Sequence, residues 1–405
     1  SAKMNVEMDG KKLTMQKASQ LLKDTDRNKR EKVFKKISDR RLQDEKALDD
    51  LYDELIALRK QIAKNADFEN YRDYMFAAKE RFDYTPEDCF DFHDAIEKEI
   101  VPIITSFEQK RKDKLGFENY KPWDTQVDVD GLSPLKPFDG GKVLTDKSIE
   151  CFDRLRPYFG ECLATMQAMK HLDLESKDGK APGGFMYPLY EIGVPFIYMN
   201  AVGSQRDVVT MVHEGGHAVH SFLCRDLSMT EFKSTPSEVA ELASMSMELL
   251  SMDHWDVFYS DNSELKRAKL EQLEKALETL PWVASIDKFQ HWIYTTKHTA
   301  KERKEKWLKI SSELGNQIID WEGNEDVHAN LWQRQLHLYE VPFYYIEYGM
   351  AQLGAIAMWR SYKQLGKKGL DNYMQALKLG YTKSISEIYE TAGIKFDFSA
   401  QYVKE

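Results

Sequence analysis

Cysteine is scarce. The 405 residues hold four, Cys89, Cys151, Cys162 and Cys224, too few and too scattered for a disulfide framework or a paired CxxC zinc ribbon. They read as small buried thiols, and Cys224, seven residues beyond His217, is not expected to ligate a metal. No apolar run approaches the length of a membrane span and no signal-peptide core stands at the N-terminus, so a cytoplasmic protein with no membrane partner is the expectation. The opening Ser-Ala, without a methionine, is what a processed or partial product would show. An excess of positive charge is also absent: 57 Lys and Arg face 67 Asp and Glu, a net charge of -10, which argues against an electrostatic surface for nucleic acid. Peptides or neutral substrates suit that balance better. Strand signals are few, and 42% hydrophobic content in a chain of this length suffices for one large domain or two lobes.

What is present centres on Asp207 to Leu223. As a helix, this stretch lines up Val208, Met211, Val212, Gly215, Val219, Phe222 and Leu223 as a core stripe, with Ser204 and Asp207 offering oxygens at its start. Within it, His213 and His217 stand one turn apart, so both imidazoles can reach one metal ion, and Glu214 projects beside them as a proton acceptor. Gly215 and Gly216 each cost roughly 1 kcal/mol relative to Ala inside a helix. Their presence argues that something approaches the helix closely and against a purely structural role. The HExxH spacing arises by chance in roughly two of a hundred chains of this length, so a third ligand is required.

Candidates for that ligand follow. Thr235-Pro236-Ser237-Glu238 reads as a capping box, with Thr235 as cap and Glu238 at the third helical position, which leaves Glu238 structural. Glu241 lies further into the helix expected over 236–251 and is the expected ligand. Glu248, seven residues on, either orients a ligand histidine or faces solvent.

Along the rest of the chain, residues 1–125 read as an N-terminal helical lobe, with Leu48, Leu51, Leu55, Leu58 and Ile62 at helical spacing and alternating charges on solvated faces. Thr85-Pro86-Glu87-Asp88 marks a helix start. Residues 126–405 are expected to form the region that carries the histidine pair and its candidate ligands. A Pro- and Gly-rich connection leads from Tyr120 to Gly141, and a helix begins near Thr145. The turn-rich loop from Asp178 to Gly184 opens a hairpin over 180–200, Phe185 to Tyr190 and Val194 to Met199, which either offers an edge to an extended peptide or covers the core. The helix of the histidine pair is expected over 205–224. His220 reads as a packing residue, and His93, His171, His254, His291, His298 and His328 as isolated histidines.

The segment HEGGHAVH followed by EVAELASMSMELL resembles the thimet oligopeptidase and oligoendopeptidase F family of zinc metallopeptidases, whose pattern is HExGHxxH and then a Glu-x-Pro/Ala-Ser-x-x-x-Glu helix. Glu241, Ala243, Ser244 and Glu248 match it position by position. GGFMYPLYEIGVPFIYMN is similar to the family's hairpin, and ALKLGYTKSISEIYETAGI to its closing helices. The resemblance implies a mainly α fold, two helical lobes around a deep substrate channel, with a small sheet beside the HExxH helix. It implies one zinc ion per chain on His213, His217 and Glu241, Glu214 as the general base, and oligopeptide substrates. A histidine and two tyrosines stabilise the oxyanion in the family, and His337, Tyr345 and Tyr348 resemble them; the spacing is one residue shorter, which keeps Tyr344 as a substitute for Tyr345. Family members are longer at the N-terminus. A metallocarboxypeptidase, or a helical scaffold with a fortuitous HExxH, stands as the alternative.

Overall fold

The computed structural model describes residues 4–8, 10–177, 179–181 and 183–405. Asp178 and Pro182, within the expected turn-rich loop, lie outside the described residues. The fold is mainly α, as expected, with a two-stranded and a three-stranded sheet. The chain divides into two compact units, each discontinuous in sequence. One comprises Leu135–Ala276 and Glu347–Asp397; the other comprises the described residues up to Pro134 with Leu277–Ile346 and Phe398–Glu405. Among the described residues, no helix is long and apolar enough to cross a membrane.

In the first unit, helix Gln205–Cys224 starts where the Asp207 carboxylate accepts hydrogen bonds from the Val202 and Ser204 amides at 2.9 and 2.8 Å. Val208, Met211, Val212 and Val219 are fully buried in one large apolar cluster. The two glycines have a packing explanation. A Cβ on Gly216 would stand 2.7 Å from Ser244 Cα and 2.9 Å from the Ala243 oxygen, and one on Gly215 would stand 2.7 Å from the Phe152 ring. What approaches the helix is therefore the protein's own helix Ser237–Leu250 on one side and helix Gly140–Leu155 on another. The expected close approach is thus present: Gly216 lets the backbone of the second helix come close, and Gly215 leaves room for the Phe152 ring.

Helix Ser237–Leu250 is capped differently from the expected box. Pro236, at φ -52° and ψ 146°, is itself the cap, and no side chain bonds there. Ser237 becomes the first helical residue and Glu238 the second, so the box is out of register by one. Glu238 is buried, and its carbonyl accepts from the Tyr389 hydroxyl at 3.0 Å. The helix expected near Thr145 begins at Gly140.

The hairpin is shorter than expected and has a partner that sequence patterning missed. Phe185–Tyr187 pairs antiparallel with Phe196–Ala201, Met186 opposite Ile197, and Leu172–Glu175 joins the other edge in parallel. Phe196–Ala201 is therefore the central strand, with alternating burial, and Phe185–Tyr187 is an edge strand.

In the second unit, Asn5–Met8 and Lys11–Thr14 form a hairpin that was not anticipated. Helix Pro86–Ala95 carries the expected capping box of Thr85 and Asp88. Helix Glu45–Asn65 exists, but Leu51, Leu58 and Ile62 are exposed and the buried face carries Asp49, Tyr52, Arg59 and Ala63. Polar pairing makes that possible: Arg59 donates to the Tyr294 hydroxyl at 2.7 Å and to the Leu338 carbonyl at 3.0 Å, and Arg303 reaches Asp53 at 2.5 Å. The connection after Tyr120 is anchored likewise, with buried Asp124 held by Arg30 at 2.8 Å and Arg27 at 2.7 Å.

Candidate metal centre

The close approach at Gly216 meets the partner helix at Ser244, three residues after Glu241 and four before Glu248, and brings both carboxylates within reach of the histidines. Glu241 Oε2 lies 3.4 Å from His213 Nε2 and 3.7 Å from His217 Nε2. The imidazoles stand edge to face, with ring centres 4.9 Å apart. One donor atom from each of His213, His217 and Glu241 falls within 4.8 Å of the other two. Each donor is also oriented from behind. His213 Nδ1 meets Glu248 Oε1 at 2.6 Å, which keeps a proton on Nδ1 and turns Nε2 toward Glu241. Glu248 is in turn held by Gln272 Nε2 at 2.7 Å, and Ser244 Oγ donates to Glu241 Oε2 at 3.1 Å. The Ala240 carbonyl accepts from the His217 ring.

The electrostatics of the cluster would suit a dication. Burial alone would lower the His213 imidazole, but the carboxylates of Glu241 and Glu248 outweigh it and raise it well above its ordinary range. A metal ion between the same atoms would meet the same two carboxylates. His217 goes the other way: burial pushes it down to about 4, which leaves a neutral ring with a lone pair. Two imidazole nitrogens and a carboxylate oxygen, each braced by a hydrogen bond, fit zinc. Glu214 is buried next to them, and desolvation lifts its carboxyl to about 7, against the pull of His213 and of the Met186 amide that bonds to it. A group near neutrality can both accept and release a proton. A dication beside it would draw it down again.

The structure thus gathers five residues that the sequence singled out: His213, Glu214, His217, Glu241 and Glu248. Ser244 matched the family's pattern, but its bond to Glu241 was not anticipated. Gln272 and the Met186 amide were missed, because neither lies in a local pattern that includes the histidines. His220 is buried and pushed down to about 3 by desolvation, in keeping with packing. All four cysteines are buried, and none forms a disulfide.

His337, Tyr344 and Tyr345 belong to the second unit. There, His337 Nδ1 meets Gln335 Nε2 at 2.6 Å, with the Tyr345 ring centre 5.1 Å away edge-on and that of Tyr344 at 5.8 Å. Phe343, just before them, has a left-handed backbone at φ 63°. Its buried ring is locked among Phe76, His291 and Tyr294, its amide donates to Gln290 Oε1 at 2.6 Å, and that anchoring sustains the strained turn. Tyr348 belongs to the first unit, on helix Ile346–Leu365, where it packs against the apolar cluster.

The chain is similar to known peptidases. An oligoendopeptidase F homologue of Borreliella burgdorferi is 24% identical over 294 residues, 70% of this chain and 48% of its own. The oligopeptidase PepF of Bacillus subtilis is 23% identical over 319 residues, 76% of this chain and 46% of its own. The chain thus spans about half the length of these curated relatives. Among solved structures, PZ peptidase A with an inhibitor superposes with a TM-score of 0.94 at 27% identity, covering 100% of this chain and 71% of the other. A model of peptidase family M3 matches residues 20–405, and the chain, with its braced histidine pair and converging glutamate, belongs to that family.

Proposed function

We propose that this chain is a zinc-dependent peptidase that hydrolyses internal bonds of oligopeptides. The observation that carries the reading is the arrival of Glu241, from a separate helix, at 3.4 and 3.7 Å from the two imidazoles. His213, His217 and Glu241 would hold one zinc ion. When bound, zinc supplies Lewis acidity, lowering the pKa of water toward about 7 and polarising a carbonyl.

The chain's own groups do the rest. Glu214 takes the proton of the water that attacks the scissile carbonyl, and it returns that proton to the amine as the C–N bond breaks. The Met186 amide, on the edge strand, fixes the Glu214 carboxylate. The outer edge of Phe185–Tyr187 suits an extended peptide, which would pair with the main-chain groups left there beside the Met186 amide that Glu214 takes. His337, Tyr345 and Tyr348 are assigned as donors to the oxyanion that forms on the carbonyl oxygen. The net charge of -10 fits peptide substrates and disfavours nucleic acid. Four thiols without a disulfide fit a reducing, cytoplasmic setting.

The test is product mapping by mass spectrometry on a peptide blocked at both ends. Cleavage at internal bonds is expected, and Glu214→Gln should abolish it while zinc is retained. Release of single C-terminal residues from an unblocked peptide, with the blocked one intact, would assign a carboxypeptidase. A purified chain that holds no zinc and cleaves nothing would refute the reading altogether.

A further inference from the structure

His93 and His291, which sequence patterning treats as isolated, meet in the second unit. Helix Pro86–Ala95 carries Cys89 and His93 one turn apart, and helix Asn262–Thr295 carries Asp287 and His291 with the same spacing, so each pair shares a face. All four are withdrawn from solvent, with exposures of 0, 1, 0 and 4% for Cys89, His93, Asp287 and His291. One donor atom from each of Cys89, Asp287 and His291 lies within 4.8 Å of the other two. The walls are aromatic, the rings of Phe90, Phe343 and Phe76 being centred 4.8, 5.4 and 6.0 Å from that of His291.

The hydrogen bonding of the cluster is incomplete in a specific way. His93 Nε2 bonds to Asp287 Oδ2 at 2.8 Å. The other carboxylate oxygen, Oδ1, has no hydrogen-bond partner, and neither has either ring nitrogen of His291. His291 Nε2 comes within 3.2 Å of Asp287 Oδ2, but without the alignment of a hydrogen bond. Buried polar atoms are almost always satisfied, and a carboxylate oxygen and an imidazole left open beside a thiol in a dry interior share one remedy. A cation bound by all three satisfies them together.

We infer that Cys89, Asp287 and His291 form a second metal site in this chain, one that takes zinc or a comparably thiophilic dication. Sulfur, nitrogen and oxygen donors together are a zinc set, and a thiolate with a carboxylate neutralises the two charges of the ion, which removes the penalty of burying it. Donors about 2.0–2.3 Å from a tetrahedral zinc lie roughly 3.3–3.8 Å from one another, so side-chain adjustments suffice to close the cluster. His93 acts from behind, holding Oδ2 so that Oδ1 faces the ion, the carboxylate–histidine arrangement that supports metal ligands. A water completes the tetrahedron. The same residues also have the composition of a Cys-His-Asp nucleophile, but a thiol with 0% exposure offers no substrate a way in. The site instead ties together two helices whose residues His93 and Asp287 are 194 positions apart. It is independent of the HExxH centre.

Cobalt substitution of the full chain tests the inference, because His213, His217 and Glu241 contain no sulfur. Metal-free protein titrated with Co(II) is expected to bind two equivalents and to develop a thiolate-to-cobalt charge-transfer band in the near ultraviolet. Cys89→Ala should lose the band and one equivalent; His213→Ala should keep the band. Binding of a single equivalent without the band, or a band that survives in Cys89→Ala, overturns the second site. The wild-type titration decides the matter even if Cys89→Ala does not fold. Loss of peptidase activity leaves the band untouched, so failure of this site and failure of the proposed function are separable.

Discussion

Gly216→Ala tests whether the close approach of two helices sets the metal centre. The added methyl would meet Ser244 Cα at 2.7 Å, the Ala243 oxygen at 2.9 Å and Met247 Cβ at 2.9 Å. Carbon pairs are most favourable from about 3.5 Å, so the helices must part by roughly 0.8 Å at that point. Two terms oppose each other in the metal-free protein: alanine gains about 1 kcal/mol over glycine in a helix, and overpacking costs about 1–3 kcal/mol. The net loss of stability is therefore small, about 0–2 kcal/mol. The metal centre has no such compensation. Glu241 is three residues from Ser244 and rides on the displaced backbone, while His213 and His217 stay with Gly216, and ligand distances tolerate only about 0.2 Å. Zinc affinity should fall about 10- to 100-fold. Gly215→Ala is the control, since its methyl would press on the buried Phe152 ring at 2.7 Å, away from Glu241. That variant should lose stability with little change in zinc affinity. Competitive zinc titration against a chelating dye, with thermal unfolding of the metal-free proteins, separates the two. Wild-type zinc affinity in Gly216→Ala, or an equal loss in Gly215→Ala, would refute the reasoning.

Glu214→Gln should bind zinc as tightly as wild type and lose about 10²- to 10⁴-fold or more in turnover of a fluorogenic peptide, a smaller loss showing that the base lies elsewhere. Glu248→Ala removes the group at 2.6 Å from His213 Nδ1 and should weaken zinc about 10- to 100-fold in the same titration. Zinc at a thousand times its dissociation constant should stabilise the chelated protein by about 4 kcal/mol, seen as a raised melting temperature, and an unchanged one would mean that the folded chain does not bind it. Asp124→Ala leaves buried Arg30 without its carboxylate and should cost about 3–5 kcal/mol in urea unfolding of the second unit, with a loss below about 1 kcal/mol assigning the pair no structural weight.

How far these features could be read in advance depends on the range of the contacts that produce them. His213, Glu214 and His217 are legible because helical periodicity brings them together within five residues, whereas the mainly α fold was implied largely by the family resemblance, with which the periodicity agrees. Glu241 and Glu248 come from a second helix, where their places beyond the expected cap singled them out and the likeness of the EVAELASMSMELL segment to a family pattern supported the choice. Gln272 bonds to Glu248 across 24 positions with no pattern to announce it. Leu172–Glu175 is a strand because Phe196–Ala201 pairs with it, whereas its own alternation of leucine and acid is too short to tell. Helix Glu45–Asn65 shows the limit on packing: leucine spacing reveals the helix, but buried Arg59 and Asp49 find distant partners and take the inner face. The box at Thr235 fails by one residue because the backbone angles of Pro236, which composition does not reveal, decide where the helix begins.

The glycines and the second cluster carry this further. Gly215 and Gly216 announce a close approach by their cost alone, yet only the tertiary structure says that the visitor is another helix. Cys89 with His93, and Asp287 with His291, have the same one-turn spacing as His213 with His217. One pair was recognised because its intervening glutamate completes a known chemistry; the other two pairs acquire meaning only when residues 194 positions apart are placed side by side. A metal site assembled from two such pairs is invisible to any window along the chain, and the unsatisfied atoms that betray it exist only in the folded interior.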